Sequence, residues 1–257
     1  MIRSPLLETA IAAARAGEAV IRRYYRAPVD VSLKADQSPV TVADVETEQA
    51  IKQVIRSMFP DHGFYGEETG QERIDAEYVW LIDPIDGTKS FVREIPFFST
   101  QIALYRHGEP VLGVSNAPLF DELACAEVGQ GAWLNDTTIR VSEVDDFGKA
   151  TLSTGNLATL ARSDHWSRFG QIVADVNRLR GYGDFYHYHL LAAGKIDMIV
   201  ESDVSILDVA ALAVIIREAG GQVTDFRGQP LTLQSTSIIA SNSRLHGRLL
   251  DRLHGSD

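Results

Sequence analysis

The sequence predicts an α+β protein with helices and sheets stacked in layers, and three observations predict it. Two stretches near the N-terminus carry apolar residues at helical spacing. A series of short β-branched and aromatic segments separated by turns follows between residues 98 and 141, the pattern of an antiparallel meander. Beyond residue 150, short apolar segments alternate with helical ones, which indicates a mixed α/β layer. Hydrophobic residues make up 45% of the 257-residue chain, ample for a real core in one large unit or two tightly joined ones. The polar stretch 142–149 is where a boundary would fall, between an N-terminal α+β part, 1–145, and a C-terminal α/β part, 146–257.

Each element has its own signal. Leu7, Ile11, Ala14, Ile21 and Tyr25 predict a long amphipathic helix over 6–25, with Ser4 as cap and Pro5 in the first turn. Val29, Val31 and Leu33 alternate as in a short strand, and the polar stretch 34–39 reads as a loop. Ile51, Val54, Ile55 and Met58 form the stripe of a second helix over 41–59. Asp44 lies off that stripe, where a negative charge suits a helix N-terminus. Phe64 and Tyr65 make a short strand that runs into Gly66-Glu67-Glu68, a pair of acids unsuited to a core. Strands are expected over 78–82, 98–105, 109–114 and 122–127, then a hairpin over 129–141. The second half predicts strands at 151–154, up to 183, 195–201, 222–226 and 237–240. Its helices are expected at 164–176, 184–193, 206–219 and 243–253. In the helix 206–219, Leu207, Ala210, Ala211, Val214 and Ile215 form the expected buried face, Asp208 sits in the first turn on another side, and Gly220-Gly221 end it.

The net charge of −11, from 24 basic and 35 acidic residues, argues against a nucleic-acid binder. It would also repel an anionic substrate unless bound cations reversed the field locally. The single Cys125 excludes an internal disulfide framework and fits a reducing, cytoplasmic setting. No basic segment followed by an apolar core marks a signal peptide. The longest apolar run, 209–216, is too short to span a bilayer, so no membrane partner is expected.

The chemistry concentrates in Asp83-Pro84-Ile85-Asp86-Gly87-Thr88, at the end of a buried strand. Pro84 pushes Asp83 toward extended geometry, and Gly87 permits a tight turn. Two acids on a rigid turn suit a cation, although an isolated pair also fits a plain surface turn. Hard oxygen ligands suit Mg²⁺, and no Cys/His cluster offers a zinc alternative. His187 and His189, two apart on a helix, point to different faces and do not form a chelating pair.

Four blocks in order carry a resemblance: Gly66-Glu67-Glu68, the Asp83–Thr88 motif, Glu201, and Asp208-Val209-Ala210-Ala211 with Glu218-Ala219-Gly220-Gly221. Together they resemble the inositol monophosphatase superfamily of Mg²⁺-dependent phosphomonoesterases over nearly the whole chain. The resemblance implies a layered αβαβα sandwich, usually a homodimer, often inhibited by lithium. It implies that Glu67, Asp83, Asp86, Asp208 and the Ile85 carbonyl hold two or three Mg²⁺ ions. It implies that Thr88, aided by Asp44 and Glu67, helps to activate the attacking water, and that amides around Gly87 and Thr88 hold the phosphate. In-line attack by metal-activated water, without a covalent enzyme intermediate, is the expected reaction.

Departures from the usual pattern concern the substrate. Lys89-Ser90 follows the Asp-Gly-Thr triplet, Arg180-Gly181-Tyr182-Gly183-Asp184 places an acid where a small residue is usual, and Leu207 replaces a usual Trp. These variants resemble the histidinol-phosphate phosphatase branch. Asp184 and Glu201 are expected to pair with the cationic end of such a substrate, with Arg180 orienting Asp184 or approaching the substrate. Asp184 also fits a helix N-cap after Gly183. The alternatives are an inositol-1-phosphatase or broad sugar-phosphate phosphatase, or a non-catalytic regulatory member of the fold.

Overall fold

The structure, a computed structural model, describes residues 3–27, 31–33 and 39–255, and only the backbone of 31–33, 39 and 40. Val29 and most of the expected loop, residues 34–38, lie outside the described residues. Helix α1, Pro5–Tyr24, begins as its sequence dictates, with Ser4 accepting from the Leu7 amide at 3.1 Å and Pro5 in the first turn. Strands β1, Val31–Leu33, and β2, Pro39–Thr41, form a small antiparallel hairpin. Thr41 then caps α2, Val42–Met58, in a capping box completed by Asp44.

The large sheet follows: β3, Gly63–Gly66; β4, Gly70–Glu72; and β5, Tyr78–Asp86. A short helix, α3, Thr88–Val92, separates these from the meander β6, Ser99–Arg106; β7, Glu109–Ala117; β8, Glu122–Glu127; β9, Gly131–Leu134; and β10, Thr137–Ile139. The eight strands lie in the order β10-β9-β8-β7-β6-β5-β3-β4, antiparallel except for the parallel β3/β5 pair. The second half supplies β11, Thr151–Ser153; α4, Ala158–Ala161; α5, Trp166–Asp175; β12, Arg178–Arg180; α6, Asp184–Ala192; β13, Met198–Ser202; α7, Ile206–Glu218; β14, Gly221–Thr224; β15, Ser237–Asn242; and α8, His246–His254. Its sheet has the order β12-β11-β13-β15-β14.

The layers follow from which residues share a core. Trp80 and Ile82 of β5 pack with Leu7, Ala10 and Ile51 of α1 and α2. Val79 and Leu81, on the opposite face of the same strand, pack with α6 and α7, which also bury Ile199, Val223 and Ile238 of the small sheet. The far face of that sheet covers Phe169 and Ile172 of α5 and Leu249 and Leu253 of α8. The result is the five-layer αβαβα stack that the resemblance implies. Gly113 lets α7 lie close against β7, because a Cβ there would sit 2.3 Å from the Ala211 carbonyl oxygen.

Several elements differ from their sequence expectations. β5 does not stop at Ile82 but carries through Asp86 with a register shift against β6. The expected helix 164–176 begins at Trp166, with the separate α4 before it. The strand expected from residue 195 begins only at Met198, because Asp197 turns its carboxylate to the Thr151 amide at 2.7 Å. Strand β4 has no hydrophobic signal and was not expected. α7 is not amphipathic: Ile206, Leu207 and every residue from Val209 to Ile216 are buried, since the helix lies between two sheets.

Candidate active site

The topology places four acids at one spot. Parallel pairing of β3 with β5 ends β3 beside Ile82, where the Glu67 amide bonds the Ile82 carbonyl at 3.0 Å and β5 runs on toward Asp86. Asp83 and Asp86 follow directly on β5, and Thr100 on β6 fixes the turn by donating to the Pro84 carbonyl at 2.9 Å. From the other side of the large sheet, α7 delivers Asp208 in its first turn, held by a hydrogen bond from the Ser205 amide to Oδ2 at 2.8 Å. Ligand atoms of Asp83, Asp86 and Asp208 all lie within 4.8 Å of one another. Glu67 lines the same cavity and lies near enough to Asp83 to raise its carboxyl further.

The electrostatics record the cost of this gathering. Burial raises Asp83 well above the ordinary carboxylate range, and Glu67, Asp86 and Asp208 raise it further. Asp86 is raised by burial and by Asp208, Asp184 and Glu201, against a hydrogen bond from Ser99. Burial, with Glu67, Glu201 and Asp184 adding to it, lifts Asp208 to about 7 despite the Ser205 amide. Among the described residues the buried Oδ1 of Asp83 has no hydrogen-bond partner. Crowded carboxylates with an orphaned oxygen, offering only hard oxygen donors, fit a divalent cation of the Mg²⁺ type. Asp83, Asp86, Asp208 and Glu67 are the residues that would hold it.

The chain turns sharply beyond Asp86. Gly87 has a φ of 91°, and a Cβ there would sit 2.6 Å from the Phe97 carbonyl oxygen, so a side chain is excluded twice over. Thr88 opens α3 and directs its hydroxyl to Asp44 Oδ1 at 3.2 Å and to the Ile85 carbonyl at 3.0 Å. Ile85 is buried, and its carbonyl has a second lone pair beyond the one facing Thr88. Asp44 is fully buried, and its Oδ2 accepts from the Thr41 amide at 2.8 Å and the Thr41 hydroxyl at 2.7 Å. Burial raises Asp44 above its ordinary value, the Thr41 bonds oppose that rise, and Glu67 adds to it.

The cavity as a whole measures about 220 Å³, and Asp184, Glu201, Asp203 and Lys89 line it alongside the four acids. Asp184 is the first residue of α6 and has a φ of 44°; the cap position before it is Gly183, so Asp184 is not the N-cap. Glu201 is buried and already engaged: Oε2 accepts from Tyr188 at 2.7 Å and faces His187 Nε2 at 3.0 Å, while Oε1 faces the Asn156 amide at 3.3 Å. Burial alone would raise Glu201, but His187, Tyr188 and Asn156 together hold it below its ordinary value. Arg180 is not brought to the site. It ends β12 at the edge of the small sheet, is exposed, and donates to the neighbouring Leu179 carbonyl at 2.7 Å. Asp203 and Tyr188 line the cavity without any signal in the sequence, and Lys89, a departure from the usual pattern with no role assigned to it there, lines it too.

A cage of hard oxygen ligands beside the amides of a tight turn is the arrangement that a metal-dependent hydrolase of anionic esters requires. A family model described as the inositol monophosphatase family matches residues 2–256. The chain is 34% identical to the histidinol-phosphatase of Chlorobaculum parvum, over 96% of each chain. It is 35% identical to the inositol-1-monophosphatase of Rhizobium meliloti, covering 95% of this chain and 94% of the relative. The solved extragenic suppressor protein suhB from Bartonella henselae superposes with a TM-score of 0.90 at 32% identity, over 97% of this chain and 98% of that one. The chain belongs to the inositol monophosphatase family, and with it to the metal-dependent phosphoric monoester hydrolases.

Proposed function

We propose that this phosphatase uses Mg²⁺ to hydrolyse histidinol phosphate to histidinol and phosphate. The observation that carries the reading is the acid left over at the cavity once the cation cage is accounted for. Glu67, Asp83, Asp86 and Asp208 answer to the cation, yet Asp184, Asp203 and Glu201 line the same space with Lys89 as the one lysine beside them. A polyol offers such a wall only neutral hydroxyl donors, whereas an ammonium and an imidazolium offer charge-assisted ones, which are stronger. Relatives named histidinol-phosphatase support the same reading.

The chain's own residues divide the work. When bound, the cation supplies Lewis-acid polarisation of the phosphoryl group and acidifies water. The amides of Gly87 and Thr88 face the phosphate with donors that α3 leaves unused. Thr88 Oγ1 passes its proton toward Asp44 Oδ1 as it takes one from the attacking water, and the Thr41 bonds keep Asp44 in place for that. Asp184 holds the cationic part of the substrate at the opposite wall.

A second reading, hydrolysis of inositol 1-phosphate, draws on relatives of equal identity that carry that name. Phosphate release from the two esters, with Mg²⁺ and with EDTA, separates the readings. The expected result is kcat/KM for histidinol phosphate at least about tenfold higher, and none for either ester in EDTA. Equal or better turnover of inositol 1-phosphate would overturn the substrate assignment.

A further inference from the structure

We propose that Glu122 and His189, both outside the cavity, are positioning residues for Asp86, acting through a hydrogen-bond chain whose direction they set. Ser99 Oγ donates to Asp86 Oδ2 at 3.2 Å, and Gln101 Nε2 reaches Ser99 Oγ at 2.8 Å and Ser115 Oγ at 3.1 Å. Ser115 Oγ lies 2.8 Å from His189 Nε2, and His189 Nδ1 lies 2.9 Å from Glu122 Oε2. Ser99 and Gln101 share one face of β6, Ser115 is the cross-strand partner of Gln101 on β7, His189 comes from α6, and Glu122 opens β8. Ser99, Gln101, Ser115 and His189 are buried, and Glu122 is half-buried where the chain reaches the surface. The inference rests on reading Asp86 as a cation ligand.

A count of protons fixes the direction. A carboxylate only accepts, and the His189 bond holds the Glu122 carboxyl below its ordinary range. The proton facing it therefore sits on His189 Nδ1, and in the neutral imidazole that leaves Nε2 as an acceptor. Among the described residues Ser115 Oγ has hydrogen bonds to His189 Nε2 and Gln101 Nε2 alone, so its proton goes to Nε2 and its lone pairs face Gln101. Gln101 must then turn its NH₂, not its oxygen, toward both serines. Having received one of those protons, Ser99 has only Asp86 to give its own to. This direction leaves Gln101 Oε1 buried without a partner among the described residues, whereas turning the amide over would strand its two N–H donors instead, which is costlier. The surface carboxylate thus decides, five bonds away, that Asp86 Oδ2 receives a donor and is held in one orientation.

The test uses the full chain and Mn²⁺ as probe. In ¹⁵N spectra, with His189 assigned by loss of its signal in His189→Asn, the wild type is expected to show the proton on Nδ1. In Glu122→Leu no acceptor faces Nδ1, and the proton is expected to move to Nε2. Mn²⁺ affinity, titrated by EPR, is expected to fall about tenfold in Glu122→Leu and in Ser99→Ala. The double variant should be no weaker than Ser99→Ala alone, because both changes remove the same donor. If Glu122→Leu does not fold, Ser115→Ala cuts the chain inside the protein and is read the same way. An unmoved proton in Glu122→Leu, or losses that multiply in the double variant, would overturn the positioning role. A wild type that binds no Mn²⁺ would instead overturn the ligand reading of Asp86, and this role with it.

Discussion

Replacing Asp208 by Asn separates the cost of the acid cage from its use. In the unfolded chain this carboxyl ionises near 3.8; in the folded chain it holds its proton up to about 7. The folded state therefore binds more protons between those values, and stability falls as pH rises from about 4 to 7. At roughly 1.4 kcal/mol per pKa unit the full span amounts to about 4 kcal/mol, reached above pH 7 in the absence of metal. The neighbouring carboxylates share the proton count, so about half of this, ~2 kcal/mol, is expected to return in Asp208→Asn. The capping bond survives, because the Asn oxygen still accepts from the Ser205 amide. Thermal unfolding in EDTA at pH 8 should then show Asp208→Asn melting roughly 4–8 °C above the wild type. The gap should close below about pH 3, where the wild-type carboxyl is protonated in both states. With saturating Mg²⁺ the order should reverse, since only the wild type gains the full binding energy. A metal-free Asp208→Asn that melts below the wild type at pH 8 would refute the account of like-charge strain.

Three further outcomes follow from named contacts. Thr88→Val keeps the shape but removes the hydroxyl that faces Asp44 and Ile85; turnover should fall about 10²-fold or more with Mg²⁺ affinity unchanged by calorimetry, while Thr88→Ser retains activity. Lys52→Met strands the buried Glu48, whose partner Nζ lies 2.8 Å away and whose Oε2 takes the Glu68 amide; urea unfolding should show a loss of about 3–5 kcal/mol. Asp184→Asn should raise KM for histidinol phosphate while leaving KM for inositol 1-phosphate where it was, as read by steady-state phosphate release.

Much of the element order was legible because apolar periodicity is local. Ser4 and Pro5 announced α1, and the meander segments appeared close to their predicted bounds. What escaped is what depends on pairing across the chain. No local signal marks the parallel β3/β5 pair that places Glu67 beside Asp83, and none shows that both sheets close over α7. The acids of the candidate site were found through their motifs, and the structure gathers Glu67, Asp83, Asp86 and Asp208 at one cavity. Arg180 was misplaced because a turn of three residues carries the chain away from it before Asp184. The polar run Ser99-Thr100-Gln101 at the start of an otherwise apolar, buried strand is a sign of a buried network, since polar residues on covered faces need partners.

The central claim is that carboxylates from three separate segments jointly hold a divalent cation where a phosphate ester is cut. Anomalous diffraction from crystals soaked in Mn²⁺ and inorganic phosphate addresses it directly. The account predicts manganese peaks among the carboxylates of Asp83, Asp86 and Asp208, with phosphate beside Gly87 and Thr88. Manganese absent from that cluster, or seated elsewhere with phosphate following it, would contradict it.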